Sequence, residues 1–166
     1  MKLLKSLALT SLMLLSLNAS SQTLWGNALV GDSILDIKKK YPAGIDIDQP
    51  ISGIGELSYK YILKNININD ENFEAFFIFS KKYGLKSIHI KSTGDYTSND
   101  CQTVKNKTFG ALRKKYGNPI DLMGLGAFFI WEINGVKINI IDKHFDKKCI
   151  EIHYESMKEY TSSNNL

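Results

Sequence analysis

The sequence predicts an α+β fold in which tandem α-β-β-β repeats form one or two antiparallel sheets backed by two helices. Each half of the chain has one segment with the helical spacing of apolar residues, followed by three strand-like runs. The last two strands of the halves also align at a fixed offset of 62 residues. The predicted repeats cover residues 22–92 and 93–160, and residues 161–166 are predicted to be a flexible tail.

Residues 1–21 have the pattern of a secretory signal peptide. Two lysines precede an apolar, uncharged run from Leu7 to Leu17, and a small polar segment follows, with cleavage predicted after Ala19 or Ser21. The apolar run is shorter than the roughly 20 residues that cross a bilayer. The sequence therefore predicts a periplasmic or secreted protein without a stable membrane anchor.

The first repeat begins with a short amphipathic helix. Asp32 or Ser33 caps it, Ile34 and Ile37 have helical spacing, and lysines precede Pro42 at its end. Residues 43–56 contain Gly and Pro and are predicted to be a loop. Three strands of an antiparallel meander follow: Leu57 to Asn65, Phe73 to Ser80 and Leu85 to Ser92.

The second repeat begins with a helix from Cys101 to Tyr116. Asn99, with Gln102 three positions later, is the predicted capping pair, and Gly117 ends the helix. Three strands follow, joined in part by the hairpin signal Asn134-Gly135: Ala127 to Ile133, Val136 to Asp142 and Lys147 to Glu155.

The offset of 62 residues assigns side chains to the two faces of the sheet. It matches Phe76 and Ile78 with two isoleucines of the second half, so this pair is predicted to face the helices. Phe77 and Phe79 then point away from the helices. Exposed aromatic groups are typical of protein-binding surfaces. The predicted partner-binding face consists of Tyr59, Tyr61, Phe77, Phe79 and Trp131, with Lys60 and Lys91 as charges at its rim. The alternative is that the sheets curl and bury this face.

The first helix contains a sequence motif similar to one of some small exported bacterial domains. The motif consists of Gly31-Asp32-Ser33, then Ile34 and Ile37, then Tyr41-Pro42. It resembles the helix motif of the β-lactamase-inhibitor-protein-like group and of the outer-membrane-assembly lipoproteins of the BamE/SmpA type. The resemblance implies a tandem α/β unit whose curved sheet face grips another protein. No lipobox cysteine follows the predicted signal peptide, so the lipid anchor of those lipoproteins is not expected.

Two cysteines, Cys101 and Cys149, lie in the part predicted to be exported. In an oxidising compartment such a pair is expected to form a disulfide. Strand alternation puts Cys149 on the face opposite Ile150, so the bond would need a bulge or an edge position.

Two groups of residues could carry chemistry. Cys149, Glu151 and His153 share a predicted strand face with His89 of the first repeat, but the usual zinc-site spacings are missing. No metal or other cofactor is therefore predicted. A Cys–His nucleophile is the other candidate, and a disulfide would consume both thiols. No catalytic residue is predicted.

Charge and composition limit the partners. Without residues 1–21 the chain is close to neutral, and its basic residues are lysines except for Arg113, which is a poor composition for a nucleic-acid reader. The predicted function is that of a periplasmic, non-catalytic protein that binds another protein, namely an exported enzyme, a toxin or an envelope component. It would act as an inhibitor or immunity factor by steric occlusion. The alternative is an envelope-assembly or ligand-binding accessory protein, and the third candidate is a small periplasmic hydrolase.

Overall fold

The structure is a computed structural model that describes residues 22–52, 56–121, 129–143 and 148–157. The predicted signal peptide and tail lie outside the described residues, as do the first two residues of the strand predicted from Ala127 and the first of that predicted from Lys147.

The described residues form two helices and ten strands. The first half contains β1 (Thr23–Trp25), β2 (Ala28–Leu29), α1 (Ile34–Lys40), β3 (Ile45–Pro50), β4 (Leu57–Ile68), β5 (Glu71–Ser80) and β6 (Gly84–Ser92). The second half contains α2 (Ser98–Tyr116), β7 (Ile120–Asp121), β8 (Phe129–Ile133), β9 (Val136–Asp142) and β10 (Ile150–Ser156). The mixed α+β class and its two helices are confirmed.

Eight strands form one sheet in the order β3-β4-β5-β6-β10-β9-β8-β7, and each neighbouring pair is antiparallel. β1 and β2 form a separate two-stranded sheet. The prediction of a loop over residues 43–56 is wrong in part, because β3 occupies Ile45–Pro50 and pairs with β4. β6 and β10 are neighbours at the centre, so the two halves of the chain meet in a single sheet.

Both helices begin with a capping box. Ser33 caps α1 and exchanges hydrogen bonds with Asp36, and Thr97 caps α2 and exchanges hydrogen bonds with Asp100. The predicted cap of α1 is confirmed at Ser33. The predicted cap of α2 at Asn99 is wrong, because Thr97 satisfies the free N–H of Asp100, and the helix begins at Ser98 instead of the predicted Cys101.

The core lies between the helices and one face of the eight-stranded sheet. It includes Ile37 of α1, Val104 and Leu112 of α2, and Leu24 and Ala28 of the small sheet. The strands contribute a continuous apolar layer to the same cluster: Tyr61, Phe73, Ala75, Phe77, Phe79, Leu85, Ile88, Ile90, Trp131, Val136, Ile138, Ile140, Ile150, Ile152 and Tyr154. Among the described elements, both helices and the small sheet therefore lie on this one side.

The predicted disulfide between Cys101 and Cys149 is confirmed, with 4.9 Å between the Cα atoms. Cys149 precedes β10 and has a φ of 25°, so strand alternation does not apply to it. Cys149 and Ile150 are both buried on the helix side. The bond thus joins α2 to the start of a central strand.

No helix among the described residues is both long enough and apolar enough to cross a membrane.

Candidate functional site

A single row of side chains crosses the sheet on the face opposite the helices. Directly opposed residues in an antiparallel sheet share a face. The pairing runs from β3 to β7 through Ile45, Ile62, Phe76, His89, His153, Asn139, Ile130 and Ile120. We call this set the transverse row and the surface that carries it the open face. The row is polar at β6, β10 and β9, where it contains His89, His153 and Asn139, and apolar toward both edges.

Four of the predicted partner-binding residues do not lie on the open face. Tyr61, Phe77, Phe79 and Trp131 are between 0% and 6% exposed and pack in the core, so the prediction that they are exposed is wrong. Two of them also satisfy their polar atoms internally. The Tyr61 hydroxyl donates to the Tyr41 carbonyl at 2.7 Å, and the Trp131 indole N–H donates to the Gly117 carbonyl at 2.9 Å.

The other three predicted residues have different surroundings. Tyr59 lies on the open face, where its ring contacts Phe76 with 5.7 Å between the ring centroids. Lys91 lies there too, with its ammonium 4.9 Å from the centroid of Phe76. Lys60 pairs with Asp48 of the edge strand β3. Phe76, predicted to face the helices, belongs to the open face, and Ile78 is buried but outside the main core cluster.

A one-residue register shift explains the wrong assignment of faces. The core residues Phe77 of β5 and Ile140 of β9 are 63 positions apart, whereas Ile88 of β6 and Ile150 of β10 are 62 apart. The pairing of β5 with β6 shifts by one residue between Ile78 and Phe79. A shift by one residue moves every side chain of a strand to the other face. The single offset of 62 residues therefore inverted β5.

His89 and His153 occupy the centre of the open face. Their rings stack with centroids 3.5 Å apart and planes 3° from parallel. Nε2 of His153 is 3.0 Å from Oε2 of Glu151, and its Nδ1 is 3.7 Å from Oε1 of Glu155. Nε2 of His89 is 3.9 Å from the same Glu155 oxygen, which is too long for a hydrogen bond. Both histidines are held on the two central strands of the sheet.

The electrostatics of this cluster differ from residue to residue. Burial is the main cause that lowers the pKa of His89 to about 3, and the charge of the neighbouring His153 contributes to the same shift, so His89 is neutral at physiological pH. Burial also opposes the charged form of His153, but its hydrogen bond with Glu151 and the nearby charges of Glu151 and Glu155 outweigh burial and raise its pKa. Burial alone would raise the pKa of Glu151, whereas the hydrogen bond with His153 and the charge of Lys91 bring it to about 2. Glu151 is therefore a carboxylate.

Lys91 connects the charged centre of the open face to its aromatic side. Its Nζ is 3.6 Å from Oε1 of Glu151, and it also lies over the rings of Tyr59 and Phe76. Cations attract ring faces electrostatically, more strongly where water is partly excluded. The arrangement can thus present a fixed pattern of charge flanked by apolar groups.

Sequence reasoning missed Phe76, Glu155 and Asn139 as residues of the open face. His89, Glu151 and His153 were recognised as a candidate group of metal ligands, together with Cys149, but were not predicted to form a site. A usable signal was present, because polar residues interrupt apolar alternation in both central strands at His89 and at His153. Both cysteines of the chain are in the disulfide, so neither thiol is available as a nucleophile or metal ligand.

The fold and the open face define a two-layer, disulfide-linked α+β protein with a polar centre on one broad sheet surface. Comparison with known family models, with curated proteins and with solved structures gave no match. The resemblance to the β-lactamase-inhibitor-like and BamE/SmpA-type groups stays a prediction.

Proposed function

We propose that this is an exported, non-catalytic protein that binds another protein through the open face. The transverse row carries this proposal. Its outer members Ile45 and Ile120 are 51% and 53% exposed, and the charged pair Lys91 and Glu151 lies beside its centre, with Lys91 over the ring of Phe76. Apolar groups around a few ordered charges are the chemistry of a specific protein interface.

Steric occlusion is the mechanism we propose for an inhibitor or immunity factor of this kind. A broad sheet face can cover a partner's cleft without any catalytic group. Phe76 and Tyr59 would supply the buried contact, and Lys91 would supply the charge that selects the partner. An envelope-assembly or ligand-binding accessory protein would use the same face. A thiol hydrolase is disfavoured because the disulfide consumes both cysteines.

The test is recovery of a partner from periplasmic extract by the wild-type protein and by two matched variants. Phe76→Asp places a charge on the open face. Leu35→Asp makes the same kind of change at a residue of α1 that is 64% exposed. We expect a partner that forms a complex with the wild-type and Leu35→Asp proteins and is lost with Phe76→Asp. Equal recovery by all three proteins would contradict the proposal.

Export is proposed on separate support. A disulfide between two buried cysteines suits an oxidising compartment, and residues 1–21 have the composition of a signal peptide. The test is the intact mass of the protein in the periplasmic fraction, expected to fit cleavage after Ala19 or Ser21 and two oxidised cysteines. Full-length reduced protein in the cytoplasm would contradict it.

We also propose that the two halves arose by duplication of one α-β-β-β unit. The supporting spacing is 64 residues, which relates Ser33 to Thr97 at the two helix caps and Ser92 to Ser156 among the buried serines. The strand order is also mirrored about β6 and β10. In an experimental structure, residues 33–37 and 84–92 should superpose together on 97–101 and 148–156. A superposition that needs different spacings for the start of α1 and for β6 would contradict it.

A further inference from the structure

We propose that the open face contains a binding site for Zn²⁺ or a similar divalent transition-metal ion. Its protein ligands would be His89, Glu151 and His153. The proposal does not depend on the proposed protein partner. It rests on the placement of three ligating side chains on adjacent central strands.

The ligand set suits zinc. Two imidazoles and one carboxylate are a common set for Zn²⁺, with a water molecule in the fourth position. Ca²⁺ and Mg²⁺ prefer oxygen ligands and would gain little from the two histidines. The disulfide removes Cys149 from the set, so the candidate site is formed by His89 of β6 with Glu151 and His153 of β10.

The distances are compatible with one shared ion. One ligand atom from each of the three residues can be chosen so that all lie within 4.8 Å of one another. Two ligands of a tetrahedral zinc ion at about 2.05 Å are about 3.3 Å apart. The separation of 3.0 Å between Nε2 of His153 and Oε2 of Glu151 is close to this spacing. The rings must turn from their parallel stack to point their lone pairs at the ion, which side-chain rotation supplies.

Polar groups at this position lack partners that a hydrated ion would provide. His89 makes no hydrogen bond to another described residue, although its side chain is only 15% exposed. Asn139 lies directly opposite His153, and its Oδ1 is buried without a hydrogen-bond partner among the described residues. Buried polar atoms are rarely left unpaired. An ion would use the free nitrogen of His89, and its bound water could donate to Asn139.

Outer partners for the ligands are already in place. Lys91 is 3.6 Å from Oε1 of Glu151, which leaves Oε2 to ligate, and Glu155 is 3.7 Å from Nδ1 of His153. Carboxylates beside a ligating histidine fix its ring orientation, and removing such partners typically lowers metal affinity 10- to 100-fold. The open face therefore contains both a ligand set and groups that would orient it.

The experiment is a calorimetric titration of Zn²⁺ into the untagged mature protein after chelator treatment and dialysis. We expect one ion per chain for the wild-type protein. His89→Gln, His153→Gln and Glu151→Gln should each weaken binding at least about 100-fold, since each removes a direct ligand. The matched control is Glu71→Gln, whose carboxylate pairs with Lys107 of α2 away from the cluster. It should bind zinc as the wild type does.

Circular dichroism and thermal unfolding without metal will show whether each variant is folded. Anomalous scattering from wild-type crystals soaked in Zn²⁺ gives a readout that needs no variant, with a peak expected between His89 and His153. Absence of zinc binding by the wild-type protein would overturn the proposal. So would a peak elsewhere, or binding retained by all three variants. Loss of zinc binding would leave the Phe76→Asp experiment unaffected, so the two proposals fail separately.

Discussion

Ser92 shows how one buried hydroxyl joins the sheet to the segment that carries the disulfide. It is 1% exposed, its Oγ is 2.7 Å from the Lys148 carbonyl, to which it donates, and it accepts from the Ile150 N–H at 3.3 Å. Removing it leaves the buried N–H of Ile150 and the part-buried carbonyl of Lys148 without this partner. We expect Ser92→Ala to lower the free energy of unfolding by about 1–3 kcal/mol in urea titrations.

The control for this change is Ser52→Ala, at an exposed position between β3 and β4. Surface substitutions usually change stability by less than about 0.5 kcal/mol. Equal effects of the two substitutions would contradict the role given to Ser92.

Individual polar aromatic residues illustrate what the sequence alone could not decide. Tyr61 and Trp131 were predicted to be exposed because they lie on strands next to the face assigned to Phe77 and Phe79. Their partners are backbone carbonyls of Tyr41 and Gly117, which are 20 and 14 residues away in the chain. Partners at that distance become visible only when the tertiary structure is known. By contrast, Cys101 and Cys149 were paired correctly, because the compartment and the count of two leave one intramolecular pairing.

At the scale of the element, β5 tests the corrected assignment of faces most directly. Phe76 and Phe77 are neighbours in the chain, but Phe77 is 0% exposed in the core and Phe76 is half-buried on the open face. Phe77→Ala should cost about 3–5 kcal/mol of unfolding free energy, as is usual for a core phenylalanine. Phe76→Ala should cost about 1–2 kcal/mol, because only part of its surface is removed from water. Chemical denaturation of the two variants measures both, and the reverse order would restore the original assignment.

Helix α2 depends on its capping box, and this makes part of its stability sensitive to acid. The Thr97 hydroxyl and N–H both donate to the Asp100 carboxylate, and these bonds lower the pKa of Asp100 below its ordinary value of 3.8. Because the pKa of Asp100 is lower in the folded than in the unfolded protein, its contribution to stability is fully present above the unfolded pKa. It is lost as the pH falls through the folded pKa.

We therefore expect Asp100→Asn to be less stable than wild type at pH 7 and to lose less stability between about pH 5 and pH 2. Urea unfolding midpoints across that range provide the measurement. Thr97→Ala removes the hydroxyl of the same box. It should lower the free energy of unfolding by about 1 kcal/mol at pH 7. Like Asp100→Asn, it should also reduce the stability that is lost in acid. An unchanged acid response in both variants would contradict the prediction.

An element could be predicted from the sequence when residues adjacent in the chain determine it. Helix α1 and the Asn134-Gly135 hairpin are encoded by adjacent residues, and both are found where expected. The faces of β4 and β5 depend instead on register shifts at Tyr59–Tyr61 and Ile78–Phe79, which are set by pairing between strands. The position of the open face was predicted through alternation, so one unrecognised shift exchanged Phe76 for Phe77.

For the whole molecule, the central pairing of β6 with β10 makes one sheet out of two halves. The disulfide attaches α2 to this centre and closes a loop of 49 residues, counting both cysteines, that contains β7, β8 and β9. Cys149 has a φ of 25°, in a region that residues other than glycine rarely adopt. The segment before β10 therefore contains an uncommon backbone conformation. The bond therefore adds a covalent link between α2 and the sheet to the packing of Val104 and Leu112 in the core.

Removing the bond should destabilise the protein strongly. Cross-linking a loop of this length reduces the entropy of the unfolded chain by an amount equivalent to about 4 kcal/mol. We expect the Cys101→Ala/Cys149→Ala variant to lose about that much unfolding free energy in urea titrations, and reduction of the wild-type protein with dithiothreitol to produce a similar loss. Dithiothreitol should leave the double variant unchanged, which controls for other effects of the reductant. A loss below about 1 kcal/mol would mean that packing between α2 and β10 holds the helix without the bond.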